Sequence, residues 1–284
     1  MTTPPVDPTE IIGEILGEPA ALGANPASNG YICPFTTEKC IKARGKLPLP
    51  VCSVWRGGRL VVICPNRLRQ RDLISDVLDT CWTAAQPTAL EIAPEVQMQG
   101  FGNVDFVVAD VANDEVLNFV SVEAQAVDVT NSYRPAYNAI IAGQMLTKSP
   151  TFSLNWDNVY KRYMTQVIRK GFYHHHWNTK IIALMQDELF KQLCKYPFLT
   201  TNDVADPAVN VVFLLYKYDL NTSPYSLVID RRVGTSHANL SQAALYAKAP
   251  SREAFVAKIM ASIKKSKKLA GKRAKLPDFN IEPD

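Results

Sequence analysis

The sequence has no apolar run approaching the roughly 18–20 residues that cross a bilayer. Its start, Met1-Thr-Thr-Pro-Pro5 followed by Asp7, Glu10, Glu14 and Glu18, lacks the basic head and apolar stretch of a secretory signal. A cytoplasmic protein is expected. There is no internal repeat and no C-x-x-C pair, so the paired knuckles of a zinc ribbon are absent. Excess charge is small: 31 Lys and Arg stand against 27 Asp and Glu, for a net charge of +4. Overall charge therefore does not announce a polyanion partner. Histidine is scarce, with four in the chain. Three of them, His174, His175 and His176, are consecutive and would face different directions on a helix. That is not a ligand spacing, and they are expected in a loop. His237 has no evident partner.

What is present is a chain long enough for one large domain with an appended module. The first thirty residues, rich in Pro, Gly, Ala and Asn, read as an arm with one short helical pattern at Glu10–Gly17. Residues 31–66 carry four of the six cysteines. Further on, Arg67–Ala85 has helical periodicity, and Ala89–Gln99, Val104–Val111 and Asn118–Val127 read as strands. The polar Ala112–Glu115 between the last two is a hairpin turn. Pro135–Met145, Trp156–Lys170, Thr179–Lys195 and Ser251–Leu269 read as helices, and Val209–Tyr218 and Tyr225–Arg231 as strands. Strands flanked by helices predict an α/β class with a mixed sheet.

Disulfides are not expected in a reducing compartment. Cys33, Cys40, Cys52 and Cys64 are separated by six, eleven and eleven residues. Four thiolates favour a closed, structural site for zinc or a single iron. The competing expectation is four small buried side chains. Cys81 and Cys194 read as core residues.

The richest stretch for chemistry is Gly100-Phe-Gly-Asn-Val-Asp105, followed by Val120-Ser-Val-Glu123-Ala-Gln125. Asp105 opens one apolar strand, and Glu123 and Gln125 share a face of the next. Carboxylates on adjacent strands suit magnesium, which prefers oxygen ligands. The metal would lower the pKa of a water and offset charge growing on a phosphoryl group. Gln125 can orient that water but carries no charge. Glu95, on the preceding strand, is the candidate third carboxylate, with Glu91 as competitor. Two exposed polar positions on half-buried strands are the plainer alternative.

Basic residues are grouped. Lys161, Arg162, Arg169 and Lys170 lie on one helix with Tyr160 and Tyr163 between them. Arg67, Arg69 and Arg71 form a second group, and Lys264, Lys265, Lys267, Lys268, Lys272 and Arg273 a third. Each is either a solvated face or a phosphate contact. Arg134, Arg231 and Arg232 are candidates for reading guanine.

Asp105, Glu123 and Gln125 resemble the motif of the PD-(D/E)XK nuclease superfamily, with Gln where Lys is usual. Together with the four N-terminal cysteines and the helix from Asn155 to Gly171, the pattern is similar to the NotI-type restriction endonucleases. The resemblance spans about residues 30–220 and implies a PD-(D/E)XK-like mixed sheet flanked by helices, with a small N-terminal four-cysteine metal module. It also implies a homodimer that cuts double-stranded DNA with magnesium. Its cysteine site would favour iron, and residues 67–284 would be the nuclease domain. A catalytically silent DNA-binding protein of the same fold, or a redox or regulatory protein with a working metal centre, are the alternatives.

Overall fold

The computed structural model describes residues 4–100, 102–245 and 251–269, the last four by their backbone alone. Near the N-terminus, β1 (Ile12–Ile15), β2 (Glu18–Pro19), β3 (Val51–Arg56) and β4 (Arg59–Val62) form an antiparallel sheet in the order β2-β1-β3-β4. Residues 12–19 thus share a sheet with the cysteine segment, and the Glu10–Gly17 stretch holds strand β1 where a helix was expected. Its helical-looking pattern arises because all four residues of β1 are buried, so strand alternation is erased.

A 3-10 turn at Pro65–Gln70 leads to α1 (Leu73–Thr80), capped by the Asp72 carboxylate, which accepts from the Ser75 N–H at 3.1 Å. The main sheet starts at β5 (Leu90–Pro94). A short ribbon of β6 (Gln97–Met98) and β7 (Gly102–Asn103) follows, then β8 (Phe106–Ala112) and β9 (Glu115–Gln125). The turn between β8 and β9 has Asn113 and Asp114 at φ 53° and 62°, the left-handed pair of a tight hairpin. β10 (Val129–Asn131) pairs with β11 (Phe152–Leu154), and α2 (Arg134–Ile141) lies between them in sequence. Next come α3 (Trp156–His176), β12 (Lys180–Gln186), α4 (Asp187–Leu193), β13 (Val211–Asp219), β14 (Ser226–Thr235) and α5 (His237–Leu245).

The main sheet has the order β14-β13-β12-β9-β8-β5. β12 runs parallel to both β9 and β13, and the remaining pairs are antiparallel. This is the mixed sheet flanked by helices that the sequence suggests. One element differs: Lys180–Gln186, expected in a helix, is the central strand. It is buried along its whole length, and a continuous apolar run between two parallel neighbours has no alternation to betray it.

Two cores line the two faces of the sheet. Ile181, Ala183, Met185 and Phe213 pack toward α3, α4 and the N-terminal sheet. Ile182, Leu184, Val212 and Leu214 pack toward Leu68, Val77 and Cys81 on the other side. On β9, Val120 and Val122 belong to the second face, which places Ser121, Glu123 and Gln125 on the α3 face.

Helix α3 runs past the expected end at Lys170 to His176. Gly171 does not break it. A Cβ there would stand 2.7 Å from Val211 Cγ2 and 3.2 Å from His237 Cβ, so this glycine serves close helix–sheet approach. The chain forms two compact units, residues 1–245 and 246–284. The second contains α6 (Arg252–Leu269), whose Lys264 and Lys265 are exposed. The side chains of Lys267 and Lys268, together with Lys272 and Arg273, lie outside the described residues.

Candidate active site

The site is built where β8 and β9 begin to separate. Phe106 pairs with Val122, so Asp105, one position earlier, stands beside Glu123 on the same face. Asp105 also ends the pairing: its Oδ2 accepts from the Ala124 N–H at 2.7 Å. Asp105 is exposed, whereas Glu123 is 8 % exposed. Burial raises the pKa of Glu123, and the Asp105 charge raises it further, while Lys170 opposes both.

Lys170 comes from α3. It is 2 % exposed, and its Nζ donates to Glu123 Oε1 and, at 2.6 Å, to the Asn103 carbonyl. One helical turn later, His174 Nε2 meets Ser121 Oγ at 2.7 Å. Four helical residues rise about 6 Å and two strand residues about 6.6 Å, so α3 and β9 stay in step, antiparallel, over this turn. His174 Nδ1 lies 2.6 Å from the Lys170 carbonyl, which can only accept. Nδ1 therefore carries the proton and Nε2 accepts from Ser121. Burial lowers the His174 pKa to about 4, so the ring is neutral.

Tyr163, two turns before Lys170 on the same helix, completes the wall. It is 2 % exposed, and its hydroxyl has no hydrogen-bond partner. Burial raises its pKa, with the charges of Glu123 and Asp105 adding to that. The hydroxyl is thus within electrostatic reach of both carboxylates and unpartnered.

Asp105 and Glu123 stand opposite each other, while Gln125 lies two residues on along the same face of β9 with its amide donating to the Ala126 carbonyl. The Glu95 N–H donates to the Asp105 carbonyl at 2.9 Å, which places Glu95 at the edge of the site, with φ at 51°. Glu91 pairs with Ala109, four residues or about 13 Å further along the strand. Lys161, Arg162 and Arg169 are exposed on α3, as a phosphate-contacting face requires. Lys170 is a correction: it is buried against Glu123 and is not part of the exposed basic face of α3. Its neighbours in sequence concealed it, because it reads as the last member of a basic run. The clue available was its place seven residues after Tyr163 on the apolar face.

The expected loop histidines are also corrected, since all three lie in α3 and His174 is fully buried. His237 has a partner after all, with Nδ1 2.7 Å from Asn210 Nδ2. The arginines proposed to read bases are held by protein. Arg134 donates to the carbonyls of Leu47 and Pro48, Arg232 to that of Thr80, and Arg231 pairs with Asp187 at 2.6 Å. Arg67 is fully buried against Glu14, and Arg71 pairs with Asp76.

Cys33, Cys40, Cys52 and Cys64 are all buried. Burial raises the Cys40 and Cys52 thiols, and the neighbouring cysteines raise them further, so the group is gathered in one region. Among the described residues, however, no three His, Cys, Asp or Glu side chains stand at metal-holding positions. Cys81 is a core residue, fully buried beside α1, as the sequence suggests. Cys194 is half-buried at the end of α4 and packs against the core. No described helix is long and apolar enough to cross a membrane.

No curated protein matches the chain. The family model of restriction endonuclease NotI matches residues 22–227, well over half of the sequence, and that span contains the cysteine segment, the carboxylate pair and α3. The chain therefore belongs to the NotI restriction endonuclease family, and is a sequence-specific type II DNA endonuclease.

Proposed function

We propose that cleavage occurs at Asp105 and Glu123, in a site of PD-(D/E)XK type, with magnesium held between the two carboxylates. The observation that carries this reading is the strand register that sets Asp105 opposite Glu123 on one face, beneath the helix that carries the unpartnered Tyr163 hydroxyl. Lys170 offsets one of the two carboxylate charges, and a bound cation would offset the other. The donor set fits: all oxygen, two anions, and no described donor on Asp105 Oδ1 or Glu123 Oε2. When bound, magnesium supplies Lewis acidity toward water and charge for the phosphoryl oxygens. The chain's own residues do the rest. Gln125, on the Glu123 face, orients the attacking water. Glu95 adds a carboxylate at the edge. Lys161, Arg162 and Arg169 hold the phosphate backbone of double-stranded DNA.

Two further parts of the reading rest on the family. Cys33, Cys40, Cys52 and Cys64 bind one iron or zinc that braces the N-terminal sheet; four buried thiols gathered in one region suit a thiophilic metal. The enzyme acts as a homodimer in the cytoplasm. Metal analysis of the purified protein and its mass in solution test these two statements.

The decisive experiment is digestion of genomic DNA with magnesium, with Asp105→Ala in parallel. Discrete fragments from the parent and none from the variant are expected. Parental cutting by Asp105→Ala would sink the assignment.

A further inference from the structure

A glutamine at position 125 leaves the strand motif without a positive charge. Its amide is turned to the Ala126 carbonyl, so it neither pairs with Glu123 nor neutralises it. The buried cation at this site arrives from another element. Lys170 reaches through the α3–sheet interface to Glu123 Oε1 and the Asn103 carbonyl. Lysine is almost never so deeply buried unless paired. An ion pair used only for stability is replaceable by apolar residues at no loss. Here the pair instead lies between the orphaned Tyr163 hydroxyl and the His174–Ser121 bond, on the one helical face that looks at the carboxylates. Gly171 allows the approach, because any side chain there would meet Val211.

We propose that Lys170 supplies from α3 the positive charge absent at position 125: it is a positioning residue that grips Glu123 by Oε1 and so aims Oε2 at the cation shared with Asp105. The two N–H groups used on Glu123 and Asn103 fix the ammonium, and through it the carboxylate, against a rigid helix. This inference rests on the Asp105–Glu123 site proposed above.

The test combines Lys170→Met, Lys170→Arg and Gln125→Ala with Asp105→Ala as control. Manganese binding to each DNA-free protein is read by electron paramagnetic resonance. Cleavage is read under single-turnover conditions on DNA that the parent cuts. Loss of a charged hydrogen bond to Glu123 predicts that Lys170→Met binds manganese about tenfold more weakly. Simple removal of a nearby positive charge predicts the opposite, tighter binding. The same variant should cut about a hundredfold more slowly at saturating DNA, and Lys170→Arg should recover part of both losses. Gln125→Ala should lose less than Lys170→Met. Where the Met variant does not fold, Lys170→Gln replaces it, since it keeps a donor for the Asn103 carbonyl. Unchanged or tighter manganese binding in the folded variant overturns the proposal. If Asp105→Ala cuts normally, the underlying site assignment fails instead.

Discussion

Glu14–Arg67 and Glu123–Lys170 are both buried carboxylate–cation pairs joining segments far apart in sequence, yet they are finished differently. The carboxylate of Glu14 accepts from Arg67, Ser53 and Tyr218, and Arg67 donates onward to Gln70 and the Tyr225 carbonyl. Both side chains are fully buried, with the guanidinium between the rings of Phe35 and Tyr218. That network ties the N-terminal sheet to β14 and leaves no described polar group wanting. Around Glu123 the balance is open: a second carboxylate stands alongside, and a buried hydroxyl has no partner. The first pair is a saturated structural joint, and the second leaves polar capacity unused at the carboxylates proposed to hold the metal.

Mutations can break this contrast. The largest expected effect is at the open pair: Asp105→Ala or Glu123→Ala should lower cleavage by about a thousandfold or more, with DNA binding in a gel shift largely kept. Arg67→Ala should do the reverse. It strands the Glu14 charge and should remove about 3–5 kcal/mol of stability in urea unfolding, while cleavage per folded molecule stays at the parental level.

Next is His174. Its pKa falls from 6.5 to about 4 on folding, so the unfolded chain takes up the proton first as pH drops. Its contribution is fully present above pH 6.5 and is lost toward pH 4, a change of about 3 kcal/mol. Denaturant midpoints across that range should fall for the parent and flatten in His174→Asn. The smallest expected effect sharpens the comparison most. Tyr163→Phe removes the orphaned hydroxyl, so stability should hold or rise by about 1 kcal/mol while cleavage falls about tenfold. A loss of stability with normal cutting would make Tyr163 an ordinary core residue.

Much of this was legible. The β8–β9 hairpin was visible in the alternation and its Asn-Asp turn, and with it the meeting of Asp105 and Glu123. The sequence is silent where tertiary burial overrides local pattern. β12 has no polar side to mark it as a strand. β1 is buried on both faces. Lys170, His174 and Arg67 look like surface residues because charge normally means solvent, and only a partner distant in sequence reverses that. Gly171 looked like a helix end, because a glycine required for close packing and one required for a turn are the same letter.

That glycine has a wider consequence. A lysine side chain has a fixed reach, so the gap between α3 and the sheet decides whether the ammonium meets Glu123. Position 171 sets that gap without touching DNA, metal or either carboxylate. An alanine there would displace Val211 or lift the helix, and a shift of a few tenths of an ångström would be felt as blunted cutting rather than as a misfolded protein. The missing side-chain atom at position 171 is therefore part of what sets the reach of Lys170.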